Sequence, residues 1–283
     1  MNNCPIIDCH CHIYPEKIAE KAVAGIGKFY DLDMHCDGRL NSLLEQSKSY
    51  GITHNLIFSV ATTPKQVQSI NSFIAESVAQ NKEQFTGLGA LHPDSQDIEG
   101  DIEHLVELGL KGVKLHPDVQ GVAIDDKRCI KIYELCQGRL PVLMHTGDKR
   151  YNLSNPANLL PILNDFPNLK VIGAHFGGYS IWDDAMANYK GYKNLYVDTS
   201  SSLAFIPIEK AKALVEFYGV ERVLFATDFP MWKANGEIET VEKLGLSEED
   251  KRKIYFENAC ELFGIDRLKI ENKFKKDKKA LGV

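Results

Sequence analysis

The sequence predicts an α/β fold, a distorted (β/α)8 barrel in a single domain, and three observations predict it. Short runs rich in β-branched residues recur eight times along the 283 residues, and amphipathic segments with helical spacing separate them. No Ser- or Gly-rich linker divides the chain, and its 44% hydrophobic and 25% charged content is that of a globular protein. A barrel typically has about 250 residues, so one barrel accounts for most of this length.

From the fourth onward, the predicted strands begin about 25–30 residues apart. That spacing holds one strand and one helix, which predicts βαβ units and a parallel sheet. The eight predicted strands span residues 6–10, 54–59, 86–91, 112–116, 141–145, 169–175, 194–199 and 222–228.

The intervening segments carry apolar residues at steps of three and four, which is typical of amphipathic helices. A final helix is predicted to begin at Ser247, with Asp250 three residues on as a capping signature, and to end at Gly264. No Gly-x-Gly-x-x-Gly follows the first strand, so the usual sign of an open doubly wound sheet is missing. The other predicted helices span residues 40–50, 63–81, 98–108, 130–137, 157–165 and 208–218.

Two segments lie outside the regular repeat. An insertion at about residues 13–40 follows the first strand and is expected to lie over the barrel mouth, where it can shape substrate choice. The barrel is expected to span residues 1–268, and residues 269–283 form a basic tail with six Lys against Glu271 and Asp277. We expect this tail to be solvated and poorly ordered rather than an interaction arm.

Composition limits the partners and the compartment. The net charge of −6 includes the basic tail, so the body is acidic, which argues against nucleic-acid binding. The start of the chain lacks the pattern of a signal peptide, and no apolar run reaches membrane-spanning length. Seven Cys in a chain of this size predict reduced thiols, with Cys9 and Cys11 as packing residues. We therefore expect a cytoplasmic protein with a small-molecule substrate.

Five residues that suit metal chemistry fall at predicted strand ends: His10, His12, His145, His175 and Asp228. The carboxyl ends of barrel strands meet at one face, so these residues are expected to converge. A single histidine at a strand end is usually structural, but four on three strands, with an aspartate on a fourth, favour a common site over independent structural roles.

The residue types define the chemistry. His10 and His12 share one strand face, so both imidazoles can bind one cation, and imidazole with carboxylate suits Zn, Mn or Fe. Such a metal lowers the pKa of bound water and polarises a carbonyl. Asp228 can bind the metal and take a proton from the water, and His175 can hold the water or stabilise developing charge.

The fourth strand adds Lys114 and His116 on one face. Three interpretations remain open: Lys114 is a carboxylated lysine that bridges two metals, or it is buried with an ion-pair partner such as Asp8 or Asp198, or His116 contacts the substrate. A buried lysine needs a partner, which favours the second.

Two further side chains are candidates for substrate binding. Arg150 follows the fifth strand and offers a bidentate fork to a carboxylate, although a solvated loop is an equal alternative. Trp232 follows the eighth strand and either walls the pocket or only packs.

Five motifs at the predicted strand ends together resemble the amidohydrolase superfamily. They are Asp8-Cys9-His10-Cys11-His12, Lys114-Leu115-His116, His145-Thr146-Gly147, Ala174-His175-Phe176 and Thr227-Asp228-Phe229. Within it the chain is similar to the amidohydrolase-related branch, which includes the aminocarboxymuconate-semialdehyde decarboxylase group. The resemblance implies one metal, zinc in the first place, held by His10, His12, His145 and Asp228, with His175 beside the metal-bound water. It also implies a homodimer.

Two reactions fit this constellation. The first is a metal-dependent hydrolase, in which a metal-activated water attacks an amide, lactone or ester of a small molecule. The alternative is a non-oxidative decarboxylase, a lyase that protonates carbon and releases carbon dioxide from a small, aromatic acid. A third hypothesis, a non-catalytic metal-binding protein, predicts a closed coordination sphere, which ligands at an open barrel mouth do not favour.

Overall fold

The computed structural model describes residues 3–280 and confirms the α/β class, with parallel strands in one TIM-type barrel. The strands within these residues are β1 Ile7–His12, β2 His54–Phe58, β3 Phe85–Gly87, β4 Gly89–Ala90, β5 Val113–Leu115, β6 Val142–Met144, β7 Val171–Gly173, β8 Leu195–Asp198 and β9 Val223–Leu224. They form one sheet of order β1-β2-β3 and a second sheet that runs in order from β4 to β9, and neighbouring strands in each sheet are parallel.

The two sheets are parts of one closed ring. Only Leu88 separates β3 from β4, and its N–H donates to the Ile57 carbonyl on β2 at 3.0 Å. On the other side, the N–H of Cys9 donates to the carbonyl of Phe225 at 2.9 Å, which joins β1 to the chain after β9. With β3 and β4 taken as one interrupted strand, the described chain has the eight strand positions that the sequence predicts.

Helices surround this ring, and none of those within residues 3–280 is long and apolar enough to cross a membrane. A π-helical turn, Lys253–Glu257, joins the helix that ends at Arg252 to the helix that begins at Asn258. The helices are α1 Ala19–Tyr30, α2 Leu40–Tyr50, α3 Val67–Gln80, α4 Ile98–Glu107, α5 Pro117–Gln120, α6 Lys127–Cys136, α7 Pro156–Asp165, α8 Trp182–Asn188, α9 Ile208–Tyr218, α10 Ala234–Lys243, α11 Glu248–Arg252, α12 Asn258–Phe263 and α13 Arg267–Ala280.

Local sequence explains several helix ends. The Ser247 side chain accepts from the N–H of Asp250 at 3.1 Å, so the predicted cap begins α11. Asp97 accepts from Gly100 in the same way at the start of α4. Gly264 ends α12 with a φ of 63°, a left-handed conformation that glycine adopts at little cost.

The core lies inside the barrel and between the sheet and its helices. Val113, Val142 and Val171 are register partners on neighbouring strands, and all three are fully buried. The strands are buried along nearly their whole length because helices cover the outer face of a parallel sheet. All seven Cys are free thiols, and Cys9 and Cys11 are buried as packing residues.

The structure adds helices in the two segments outside the repeat. The predicted insertion contains α1, which ends at Asp31 in a left-handed conformation with a φ of 55°. Up to Ala280 the predicted tail belongs to α13, while residues 281–283 lie outside the described residues. Ile270 of α13 is buried, and Lys273 donates to the Thr53 carbonyl at 2.8 Å. The expectation of a poorly ordered end is wrong for α13, because its contacts with the barrel hold the helix in place.

Candidate active site

Strand β1 and the loop after β9 bring together three side chains that could hold a metal ion. The Nε2 atoms of His10 and His12 lie 3.2 Å apart, because alternate residues of a strand share one face. Oδ1 of Asp228 lies 3.3 Å from Nε2 of His10 and 3.6 Å from Nε2 of His12. One ligand atom from each side chain falls within 4.8 Å of the others, a separation that suits one shared cation.

A carboxylate orients His10. Its Nδ1 lies 2.8 Å from Oδ2 of Asp198, at the end of β8. When this nitrogen carries the proton, the lone pair at Nε2 points toward His12 and Asp228, and carboxylate-bound histidines of this kind are common metal ligands. Two imidazoles and a carboxylate thus form a donor set that fits one divalent transition metal.

A hydrogen-bond chain also fixes Asp228. Ser201 donates to Oδ2 of Asp228 at 2.5 Å, and Nε1 of Trp232 donates to Ser201 at 2.9 Å. Oδ1 therefore remains free to face the histidines. The backbone φ angles of Asp228 and Ser201 are 62° and 45°, and non-glycine residues at positive φ cluster at functional sites.

Trp232 is not among the residues that line the cavity described below. The sequence offered Trp232 as a wall of the pocket, but in the structure its side chain lies outside the cavity lining. Its indole acts on the site through Ser201 instead.

A second group of imidazoles lies beside the first. His145 Nδ1 lies 3.0 Å from Nε2 of His175, and the His145 ring stacks on His116 with centroids 4.2 Å apart. The Tyr30 hydroxyl, at the end of α1, lies 2.8 Å from Nε2 of His116. His145 lies outside the group of three ligands, and its Nε2 lies 3.6 Å from a carboxylate oxygen of Asp118.

His175 is held in a defined orientation. Its Nδ1 lies 3.0 Å from the carbonyl of Ser200, and its backbone N–H donates to Oδ1 of Asp198 at 3.0 Å. Its backbone φ is 61°, again in the left-handed region. Nε2 consequently points toward His145 and the interior of the site.

Lys114 contacts the candidate metal group directly. Its Nζ lies 3.1 Å from Nε2 of His10 and 5.0 Å from the ring centroid of Phe58. Within the described part of the chain, neither Asp8 nor Asp198 forms a salt bridge with it, so the ion-pair interpretation differs from the structure. The physical reason is that Asp8 already accepts hydrogen bonds from Thr227.

Burial controls protonation in this region. It lowers the pKa of Lys114 to about 8, while the charges of Asp228 and Asp198 oppose that shift. Burial also lowers the pKa of His10, His12 and His145 well below the usual range. Neutral imidazoles are the form that binds metal ions.

These side chains line one cavity of about 650 Å³ at the carboxyl ends of the strands. The strand-end side chains that contribute to its wall are His10, His12, Lys114, His116, His145, His175 and Asp228. The other walls come from α1, from the loop after β2 and from α3. The predicted convergence of the strand ends is thus present, and part of the insertion after β1 borders the cavity.

Arg150 has other partners than those expected. Its guanidinium binds Asp148, with Nη2 2.6 Å from Oδ2, and Nη1 donates to the carbonyl of Phe29 at 2.6 Å. It also lies over the rings of Phe29 and Tyr30, at 5.2 and 5.3 Å. We expected the Arg150 guanidinium to bind a substrate carboxylate, but in the structure its donors bind Asp148 and the end of α1.

Three residues near the site were not predicted as parts of it: Asp198 as the partner of His10, Tyr30, and Ser201. Asp198 carried a usable signal, since it falls near the end of a predicted strand like the other site residues. Tyr30 lies in an insertion for which no helix was predicted, and the packing of α1 brings it to His116.

Comparison with known proteins identifies the family. A family model described as amidohydrolase matches residues 7–265. The chain belongs to the amidohydrolase family. This match confirms the resemblance drawn from the strand-end motifs. It also supports an enzyme rather than a non-catalytic metal-binding module.

The relatives of this chain include decarboxylases. The 2-amino-3-carboxymuconate-6-semialdehyde decarboxylase of Dictyostelium discoideum is 25% identical over 92% of each chain. The gamma-resorcylate decarboxylase of Rhodococcus jostii is 24% identical over 70% of this chain and 76% of its own.

A solved structure gives the same fold. The dihydroxybenzoic acid decarboxylase of a Polaromonas species, with bound manganese and 2-nitroresorcinol, has a TM-score of 0.71. It is 19% identical and covers 94% of this chain and 98% of its own. This likeness confirms the barrel.

Proposed function

We propose that this protein is a metal-dependent, non-oxidative decarboxylase of a small carboxylic acid whose carboxyl group is attached to a conjugated or aromatic carbon. The observation that carries the proposal is the decarboxylase relative that matches 92% of both chains. Hydrolysis, the first expectation from the sequence, is supported only by the family as a whole. Decarboxylation, the alternative from the sequence, therefore becomes the main proposal.

The reaction breaks the bond between the conjugated or aromatic carbon and the carboxyl carbon. Carbon dioxide leaves, the electron pair stays on the conjugated or aromatic carbon, and a proton takes the place of the carboxyl group. A divalent cation at the site would supply a Lewis acid that draws electron density from a substrate oxygen. Lys114 and His116 line the cavity and are proposed to bind the anionic substrate.

His175 is proposed to deliver the proton. Its Nδ1 donates to the carbonyl of Ser200, so Nε2, which faces the interior, is the nitrogen that takes up a proton from solvent and transfers it, from the imidazolium form, to the carbon that loses carbon dioxide. Asp228 is proposed as the second proton-transfer group. Ser201 holds one of its carboxylate oxygens, and the other oxygen faces the histidines.

We propose one divalent metal per chain, with His10, His12 and Asp228 as ligands. His145, which lines the same cavity, is the proposed fourth ligand. Zinc is the metal that the sequence favours, but manganese and iron suit the same donors, and the Polaromonas relative holds manganese. Elemental analysis of purified protein should find about one equivalent, and substitution of His12 by Gln should remove it.

The discriminating experiment separates carbon dioxide release from acid release. Protein loaded with Mn²⁺ or Zn²⁺ is incubated with 2,6-dihydroxybenzoate and other ortho-hydroxybenzoates, and in parallel with lactones, esters and amides. We expect carbon dioxide from the acids and, in D2O, exchange of the ring proton of the corresponding phenol. Acid release from a lactone, ester or amide, with no carbon dioxide from any acid, would establish the hydrolase instead.

A cytoplasmic location and a homodimer also remain proposals. The dimer rests on the resemblance alone, and light scattering of the purified chain tests it.

A further inference from the structure

One face of α1 is apolar but does not pack into the core. Ile18, Ala22, Ile26 and Phe29 are spaced by three or four residues, so they share one side of the helix, and all four line the cavity. Within α1 only Ala19 is buried. An amphipathic helix normally buries its apolar face against protein, and here that face borders the cavity instead.

A second helix also contributes to the cavity wall. Ile70 and Phe73 of α3 line the cavity, together with the polar Ser69 and the preceding Gln66. Apolar side chains of both α1 and α3 therefore face the cavity. At about 650 Å³ it falls within the range of roughly 300–1,000 Å³ that holds drug-sized ligands, more than a single ring with a carboxyl group would fill.

The cavity extends along the length of α1. Tyr30 marks its inner end, since its hydroxyl contacts His116, and Ile18 marks the outer end with 51% of its surface exposed. At 1.5 Å per residue these positions lie roughly 18 Å apart along the helix. Lys114 and Asp228 belong to the inner end. Lys21 of α1 also lines the cavity, and the other side chains that line the stretch between the ends are neutral.

We infer that the substrate carries, beyond its reacting carboxyl head, an elongated apolar group, an alkyl chain or a second ring, that lies between α1 and α3. This inference rests on the proposed function only for the position of the head. The apolar group would cover the face of α1 that the protein itself leaves open, and removal of that face from water favours binding.

The test uses n-alkyl hydroxamic acids, because a hydroxamate binds divalent metals whatever reaction the site performs. Affinities of the metal-loaded protein are measured by calorimetry for chains from acetohydroxamic to decanohydroxamic acid. Burial of each methylene should raise the affinity about threefold to fourfold until the chain reaches the mouth.

Two glycine variants sharpen the measurement. A Cβ at Gly25, which lines the cavity on α1, meets nothing within 4 Å, so Gly25→Leu introduces a side chain there without a clash. A Cβ at Gly236 of α10 is equally free but lies outside the cavity lining, which makes Gly236→Leu the matched control. The affinity ratio of decano- to acetohydroxamic acid should fall at least tenfold in Gly25→Leu and match wild type in Gly236→Leu.

Affinity that stays flat or falls with chain length overturns the inference, and so does equal behaviour of the two variants. If Gly25→Leu instead dissociates a dimer while chain length has no effect, the face of α1 is an interface between two copies and the inference is wrong. Carbon dioxide release in the earlier assay is independent of all these results, so the proposed function and this inference fail separately.

Discussion

Nδ1 of His10 lies 2.8 Å from Oδ2 of Asp198, and the other carboxylate oxygen of Asp198 accepts the backbone N–H of His175 at 3.0 Å. A single buried carboxylate therefore positions both a candidate metal ligand and the candidate proton donor. This connection joins β1 to the loop after β7, on opposite sides of β8.

Substitution of Asp198 by Asn should weaken metal binding. The amide oxygen keeps one hydrogen bond but loses the charge that supports His10, and such partners typically contribute about 10- to 100-fold in metal affinity. Competition with a chromogenic chelator measures the affinity for Zn²⁺ and Mn²⁺. Asp125→Asn, on an exposed position, is the control, and equal affinities for the two variants would contradict the role of Asp198.

Substitution of Asp228 by Asn should abolish turnover with little change in the fold. The carboxylate is the anionic member of the ligand group, and loss of a catalytic proton-transfer group costs about 10²- to 10⁴-fold. Ser201→Ala keeps the carboxylate and removes only its hydrogen bond, so its effect on kcat should be smaller. Full activity of Asp228→Asn, with an unchanged circular dichroism spectrum, would exclude Asp228 from catalysis.

Substitution of Arg150 by Met should loosen α1. The guanidinium donates to the carbonyl of Phe29 and binds Asp148, and hydrogen bonds to charged groups are worth about 1.5–3 kcal/mol. Amide hydrogen exchange in α1 should accelerate about tenfold or more, and KM should rise because the helix borders the cavity. Arg139→Met, which breaks the exposed pair with Glu103, should leave exchange in α1 at the wild-type rate.

The stability of the protein should depend on the protonation of His54. Burial lowers the pKa of this imidazole from 6.5 to about 4. The unfolded chain therefore binds the proton at higher pH than the folded chain does. The resulting contribution is complete above about pH 6.5 and is lost as the pH falls toward 4, up to about 3 kcal/mol in the free energy of unfolding.

Denaturation in urea between pH 4 and 7 tests this contribution. His54→Gln should have a shallower pH dependence than wild type, whereas Thr86→Val, which removes only the hydroxyl 2.9 Å from Nε2, should keep the dependence and lower stability throughout. Identical slopes for wild type and His54→Gln would mean that His54 does not titrate in this range.

The periodicity of apolar residues and the residues that begin and end helices were sufficient to predict most of the fold. The observed strands β5, β6 and β7 lie inside the longer runs predicted at 112–116, 141–145 and 169–175, and Ser247 caps α11 as expected. Five helices, α1, α5, α8, α10 and α13, were not predicted. Of these, α1 and α13 lie outside the repeat, and each is held by contacts with distant parts of the chain, such as Lys273 with Thr53.

For the site, the sequence indicated residue types at strand ends, and closure of the barrel explains why His10 and Asp228 meet although 218 residues separate them. The partners of long side chains were harder to predict. Arg150 and Trp232 were assigned to the substrate from their place after a strand, yet Arg150 binds Phe29 and Asp148, and Trp232 binds Ser201.

The sequence by itself determined the repeat of strands and helices, the family, and the set of residues at the mouth of the barrel. These features depend on local spacing along the chain, and a parallel barrel converts strand-end positions into one site. Only the tertiary structure decided which atom faces which: that Asp198 supports His10, that Lys114 contacts His10 rather than an acid, and that the apolar face of α1 lines the cavity. Hydrogen-bond partners depend on differences of an ångström between side chains far apart in sequence, and no local pattern records them.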